Sequence, residues 1–295
     1  MRIIALMLLT WPLLATAVDY RTITGAGGVP LQIAESGDQS APGILLIHGA
    51  ALSSSSWLQQ MNSSLAEDFH LVAFDLRGHG NSGKPWDPAQ YSDSKLWADD
   101  VAAVMQATGL KHPVIVGWSY GGHVTMDYLR HYSDDRIAGI VFVGSTGGMQ
   151  PFPPPDPETA AEFARIGALA MSPDAGARLE GARAFVDGML VAPVPDALRE
   201  REVASVLAVT PYARKSMQGR SLDNADLIER LKVPVLFIVG DGERAAPAEN
   251  VKQLAERIPD AAVSVYANTG HMPFIEHEAR FNAELTEFLI KTGRH

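Results

Sequence analysis

The stretch that decides the reading runs from residue 114 to 122: Val114-Ile115-Val116-Gly117-Trp118-Ser119-Tyr120-Gly121-Gly122. Three β-branched residues lead into a serine with a glycine two positions to either side, and a helical pattern follows over 122–132. A serine at the apex of a tight strand-to-helix turn has its hydroxyl pushed outward, and small neighbours let the backbone bend past adjacent strands. The helix beyond aims its positive end at the same spot. Ser119 is therefore the candidate nucleophile.

Outward from this turn, apolar runs without alternation recur at Gly43–Ile47, Leu71–Phe74, Val114–Val116, Ile137–Val143 and Val233–Val239. Such runs are the mark of strands buried on both faces. Two shorter β-rich pieces, Tyr20–Thr24 and Val29–Ala34, come first, separated by Gly25-Ala26-Gly27-Gly28. No helix follows that glycine cluster, so it reads as a hairpin turn and not as a phosphate loop. Helical patterns such as Lys95–Thr108 alternate with the strands, which predicts a mostly parallel, doubly wound α/β sheet. The rhythm breaks after Val143. From the proline-rich Pro151–Pro155 onward, Glu158–Met171, Gly176–Leu190 and Asp196–Val209 read as successive amphipathic helices, an inserted cap. The expected division is a leader over 1–17, a first core part over 18–146, the cap over 147–226 and a second core part over 227–295.

The chain has 295 residues, 46% hydrophobic and 20% charged, ordinary for a globular core of this size. Its start joins Arg2 to the apolar run Ile3–Leu9 and an Ala15-Thr16-Ala17 site, the parts of a secretory signal peptide. Pro12 interrupts the run before the ~20 apolar residues a membrane span needs. Cleavage after Ala17 and a periplasmic or secreted product without a stable membrane anchor are expected. The sequence has no cysteine, which excludes disulfides, thiolate metal sites and a cysteine nucleophile. A formal charge of −10 without a basic stripe argues against nucleic acid as a partner. The histidines are scattered and the acidic residues lack ligand spacing, so no metal site and no cofactor is expected.

Three more motifs fall in order around Ser119. His48-Gly49-Ala50 follows the first buried run, Asp75-Leu76-Arg77-Gly78-His79-Gly80-Asn81-Ser82 follows the second, and Gly270-His271 follows Val263–Tyr266 near the carboxyl end. With Gly117–Gly121, these resemble the α/β-hydrolase superfamily over nearly the whole mature chain. The resemblance implies an eight-stranded sheet flanked by helices with the cap after strand six, and Ser119 and His271 as nucleophile and base. It also implies an oxyanion hole from the backbone N–H groups of Ala50 and Tyr120, and a structural role for the Asp75–Ser82 turn. The acid belongs in Gly240-Asp241-Gly242-Glu243. Glu243 satisfies the family spacing from Gly240 and to Pro247 and is favoured, with Asp241 the alternative. His70, His112, His131 and His295 read as surface residues, His123 as packing and His277 as solvated.

A serine nucleophile excludes the dehalogenases and epoxide hydrolases of this fold, which resemble the chain elsewhere but carry aspartate at that position. The reaction class expected is hydrolysis of small or medium carboxylic esters through an acyl-enzyme. An acyl-homoserine-lactone-type lactonase comes next, suggested by a glutamate acid and the Trp118-Ser119 pair. Cofactor-free perhydrolase and carbon–carbon bond hydrolase follow. A ligand-binding receptor that lost turnover is the non-enzymatic alternative. Trp57, Trp118, Met149, Phe152, Phe185, Met189 and Met217 are the candidates to line an apolar substrate pocket. The partner expected is a small-molecule ester or lactone, and the oligomeric state is not legible.

Overall fold

The computed structural model describes residues 17–151 and 154–293; residues 1–16 of the expected leader, Phe152 and His295 fall outside the described residues. Strands β1 (Asp19–Thr24), β2 (Pro30–Ser36), β3 (Gly43–Ile47), β4 (His70–Phe74), β5 (Val114–Trp118), β6 (Gly139–Val143), β7 (Val235–Gly240) and β8 (Ala261–Tyr266) form one sheet in the order β1-β2-β4-β3-β5-β6-β7-β8. β2 is antiparallel to both its neighbours and every other pairing is parallel.

The continuous apolar runs are explained by burial on two faces. Ile44 and Leu46 pack on one side of the sheet with Val114, Val116, Val141 and Val143. Leu45 and Ile47 pack on the other with Ile115, Ile140 and Phe142. Register keeps each set together: Leu45 lies opposite Val72 and Ile115, and Leu46 opposite Ala73 and Val116. Two runs are shorter as strands than as sequence. Pro234 has no N–H to give the ladder, so β7 starts at Val235, and β6 starts at Gly139, beyond the turn that holds Ile137. His70, read as a surface residue, is buried in β4 with Nε2 3.2 Å from Glu35 Oε1.

Helix α1 (Ser94–Thr108) starts at Asp93, whose carboxylate accepts the Lys95 N–H at 2.8 Å. Helix α2 (Tyr120–His131) follows the serine turn. Between β6 and β7 lie α3 (Pro157–Ala170), α4 (Ala175–Asp187), α5 (Asp196–Ala208) and α6 (Pro211–Met217). Asp156 and Asp174 cap α3 and α4 by accepting N–H groups of their first turns. Helix α7 (Ala248–Ala255) joins β7 to β8. After β8 the chain is broken at His277 (φ −137°, ψ 53°) into a turn, Pro273–Glu276, and α8 (Glu278–Thr292). His277 sits at that break and not on a solvated helix face, its ring against Tyr266 with centroids 6.2 Å apart. Among the described residues no helix is long and apolar enough to cross a membrane.

The glycines around Ser119 are demanded by contact. A Cβ on Gly117 would lie 2.6 Å from Thr125 Oγ1 and 2.8 Å from the Gly121 carbonyl oxygen. One on Gly121 would lie 2.3 Å from the Ile47 carbonyl oxygen. The substitution Gly121→Ala should force α2 off β3 and cost about 1–3 kcal/mol of stability, seen as a lowered Tm in thermal unfolding.

Candidate active site

The loops after β3, β5, β7 and β8 meet at the carboxyl ends of the parallel strands, the edge where open α/β sheets place their ligands. Ser119 heads α2 with φ 52° and ψ −116°. That positive φ is held by its N–H, which donates to the Val143 carbonyl at 2.9 Å, and by its own carbonyl, which accepts from Ser145 Oγ at 2.8 Å. Trp118, the last residue of β5, is buried among Trp57 and Phe274. Its indole N–H donates to the His271 carbonyl at 2.8 Å, tying the histidine loop to the serine strand.

His271 lies in the loop after β8. Its Nδ1 is hydrogen-bonded to Glu243 Oε2. Glu243 lies in the loop after β7 with its side chain only 1% exposed, and its other oxygen accepts the N–H groups of Ala245 and Ala246 at 2.6 and 3.2 Å. Asp241 is exposed and instead accepts the Thr269 N–H at 3.2 Å, bracing the histidine loop from outside. Geometry thus pairs Glu243, not Asp241, with the imidazole. Burial works against charge on both partners, but each one's field outweighs it: His271 is raised above the ordinary 6.5 and the Glu243 carboxyl is lowered.

Ser119 Oγ is not among the hydrogen-bond partners of His271 in this structure, although both residues line one cavity of about 380 Å³. The Ala50 N–H and the Tyr120 N–H donate to no acceptor among the described residues, which leaves both free beside the serine. The Tyr120 ring points away, edge-on to Trp97 at 5.4 Å, and its burial raises the phenol.

Two histidines brace the loop that carries Ala50. His48 Nε2 accepts the Leu76 N–H at 3.0 Å while its Nδ1 donates to the Gly49 carbonyl at 2.8 Å. His79 Nε2 accepts the Ala51 N–H at 3.1 Å while its Nδ1 donates to the Arg77 carbonyl at 3.0 Å. These partners assign both rings the same neutral tautomer. Burial lowers both pKa values, His79 well below 6.5, so neither brace changes charge near neutral pH. Sequence reasoning gave the Asp75–Ser82 turn a structural role and His79 no chemistry, and its bonds are of that structural kind.

Glu276 is a residue that sequence reasoning missed. Its carboxylate accepts the N–H of Gly270 at 2.9 Å on one side and those of Val191 and Ala192 at 2.8 and 2.7 Å on the other. The His271 N–H also donates to the Met189 carbonyl at 2.7 Å. The chain beyond α4 is thereby fastened to the histidine loop.

Of the expected pocket residues, Trp118, Phe185 and Met189 line the cavity. Trp57, Met149 and Met217 do not. Trp57 is fully buried against Phe274, with ring centroids 4.3 Å apart, and Met149 and Met217 pack into the core on the other face of the sheet. Leu52, Phe163, Ile166 and Val206 take their place in the wall. No group of acidic residues and histidines able to hold a metal occurs among the described residues.

The family model described as alpha/beta hydrolase family matches residues 44–284, and the chain belongs to that family. It is 28% identical to a bifunctional esterase/perhydrolase of Acinetobacter calcoaceticus over 90% of this chain and 98% of that one. Among solved structures, an esterase from Rhodococcus sp. ECU1013 is 30% identical with a TM-score of 0.81, covering 92% of this chain and 98% of its own. A protein from Burkholderia cenocepacia, provisionally named an aryl esterase, is 29% identical with a TM-score of 0.84, covering 94% and 100%.

The Glu243→Gln protein should show a His271 pKa below that of the unaltered protein, because burial is then opposed only by the smaller field of the Glu276 carboxylate. Histidine NMR titration reads this, and an unchanged value would reject the pairing.

Proposed function

We propose that the protein is a serine esterase that cleaves small or medium carboxylic esters through an acyl-enzyme. The observation that carries this is the His271–Glu243 pair at the wall of a largely apolar cavity that also exposes Ser119. His271 removes the hydroxyl proton as Ser119 attacks the carbonyl, and Glu243 orients the imidazole and stabilises its cation. The Ala50 and Tyr120 N–H groups receive the oxyanion; losing one such donor typically costs about 100–1,000-fold. Water then releases the acyl group with His271 as base again. The esterase relatives support this chemistry.

The perhydrolase activity in the name of the Acinetobacter relative supports a second reading, in which hydrogen peroxide replaces water in the deacylation step. A glutamate on the imidazole keeps the homoserine-lactone reading in view. Parallel rates on p-nitrophenyl butyrate, an acyl-homoserine lactone, and acetate with peroxide rank the three. Export completes the reading: residues 1–17 are removed, and the mature protein, beginning at Val18, works in the periplasm or outside the cell. Amino-terminal sequencing of protein recovered outside the cytoplasm checks this.

Ser119→Ala should reduce turnover of p-nitrophenyl butyrate on the order of 10⁴–10⁶-fold and abolish labelling by a fluorophosphonate. Because the base works only when neutral, kcat/KM should be full at high pH and fall as pH drops through the His271 pKa. The midpoint of that fall should lie above 6.5; a profile flat across pH 5–8 would contradict His271 as base.

Chain-length preference offers a further check. Gly167 of α3 lines the cavity, and a Cβ there would meet nothing within 4 Å. Gly167→Leu should fill this space and lower kcat/KM for hexanoate relative to acetate esters by roughly 10-fold, while the helix gains about 1 kcal/mol from losing a glycine.

A further inference from the structure

Not every charge lining the cavity has a partner. Glu162 and Arg244 pair with each other at 2.6 Å, and Glu243 is held by His271. Arg214 of α6 also lines the cavity, and no carboxylate contacts it among the described residues. Its one hydrogen bond goes from Nη2 to the Val206 carbonyl at 2.5 Å, which leaves most of its five donors unused. The deeply buried arginines elsewhere behave differently: Arg77 holds Asp100 at 2.7 Å and Arg220 holds Asp127 at 2.5 Å. The rest of the cavity wall is largely apolar and includes Leu52, Ile166 and Val206. A recess that shares Ala170, Val206 and Arg214 with the cavity adds Arg178, which contacts only the carbonyls of Ser172 and Pro173, and Thr210. Thr210 Oγ1 is buried without a partner.

We propose that Arg214 is a specificity-determining residue that receives a carboxylate at the far end of the substrate, so that the preferred esters are half-esters of dicarboxylic acids. The proposal rests on the esterase reading and deepens it. A neutral alkyl chain in this cavity would strip water from the guanidinium and give it nothing in return, whereas a carboxylate matches its planar fork. Burial pulls the Arg214 pKa down to about 10, still charged at neutral pH. A cap on the last turn of α5 accounts for the Val206 bond alone; it predicts nothing about substrate charge, and that difference makes the proposal testable.

The test compares monoethyl succinate, adipate and suberate with neutral esters in which an isopropyl group replaces the free carboxylate, measured by ethanol release. The unaltered protein should favour the best half-ester over its neutral counterpart on the order of 10–100-fold in kcat/KM. Arg214→Met should erase most of that ratio and Arg214→Lys should keep part of it. In the Ser119→Ala protein, calorimetry should detect monoethyl adipate binding that the added Arg214→Met change removes. A ratio at or below one across the series, or a ratio and binding unmoved by Arg214→Met, overturns the proposal. Binding that depends on Arg214 without turnover of any ester or fluorophosphonate labelling would instead sink the esterase reading and leave the carboxylate site standing.

Discussion

Ser119 adopts a backbone conformation that residues with a Cβ rarely hold, at a strain of order 1–3 kcal/mol, and the surrounding sheet is what keeps it there. Its N–H is fixed to β6 and its carbonyl to Ser145, while Gly117 and Gly121 let α2 press against β3 at backbone contact distance. The bend lifts the hydroxyl out of the sheet and brings the free Tyr120 N–H to its side. A relaxed turn at this point would separate α2 from β3 and scatter the groups that the loops of β3, β7 and β8 bring to the same edge.

The electrostatics divide the histidines into two kinds. His48 and His79 are enclosed, accept backbone N–H groups, and are kept neutral by burial, so they act as fixed struts under the Ala50 loop. His271 is largely enclosed, with 11% of its side chain exposed to the cavity, yet the Glu243 carboxylate beside it reverses the sign of the shift. One residue type thus serves as rigid packing or as a titrating group according to whether its neighbour is a peptide or a carboxylate.

Much of this was legible beforehand. The strand–turn–helix reading around Ser119, the order of the motifs and the choice of Glu243 over Asp241 by spacing all correspond to what the loops bring together. Such features are local, so adjacent residues carry them. The cavity wall was less legible because aromatic and methionine side chains serve a core and a pocket equally well. Trp57 and Met149 went to the core, while Ile166 and Arg214 reach the cavity through the way the four helices after β6 pack. Glu276 was invisible for a related reason. Its partners lie 6 and about 85 residues away, and nothing in a helix-forming stretch announces a break at His277.

That same carboxylate gives the inserted helices a defined seam. Residues 189–192 touch the histidine loop through Met189 and through both oxygen-bound amides, and on the opposite flank Ser205 and Glu202 of α5 meet the serines that follow Ala50. Grafting a foreign insertion between β6 and β7 would therefore replace contacts that hold the His271 loop along with the helices themselves. Chimaeras spliced inside α3 and α4 keep these moorings, whereas those spliced at the strand ends discard them.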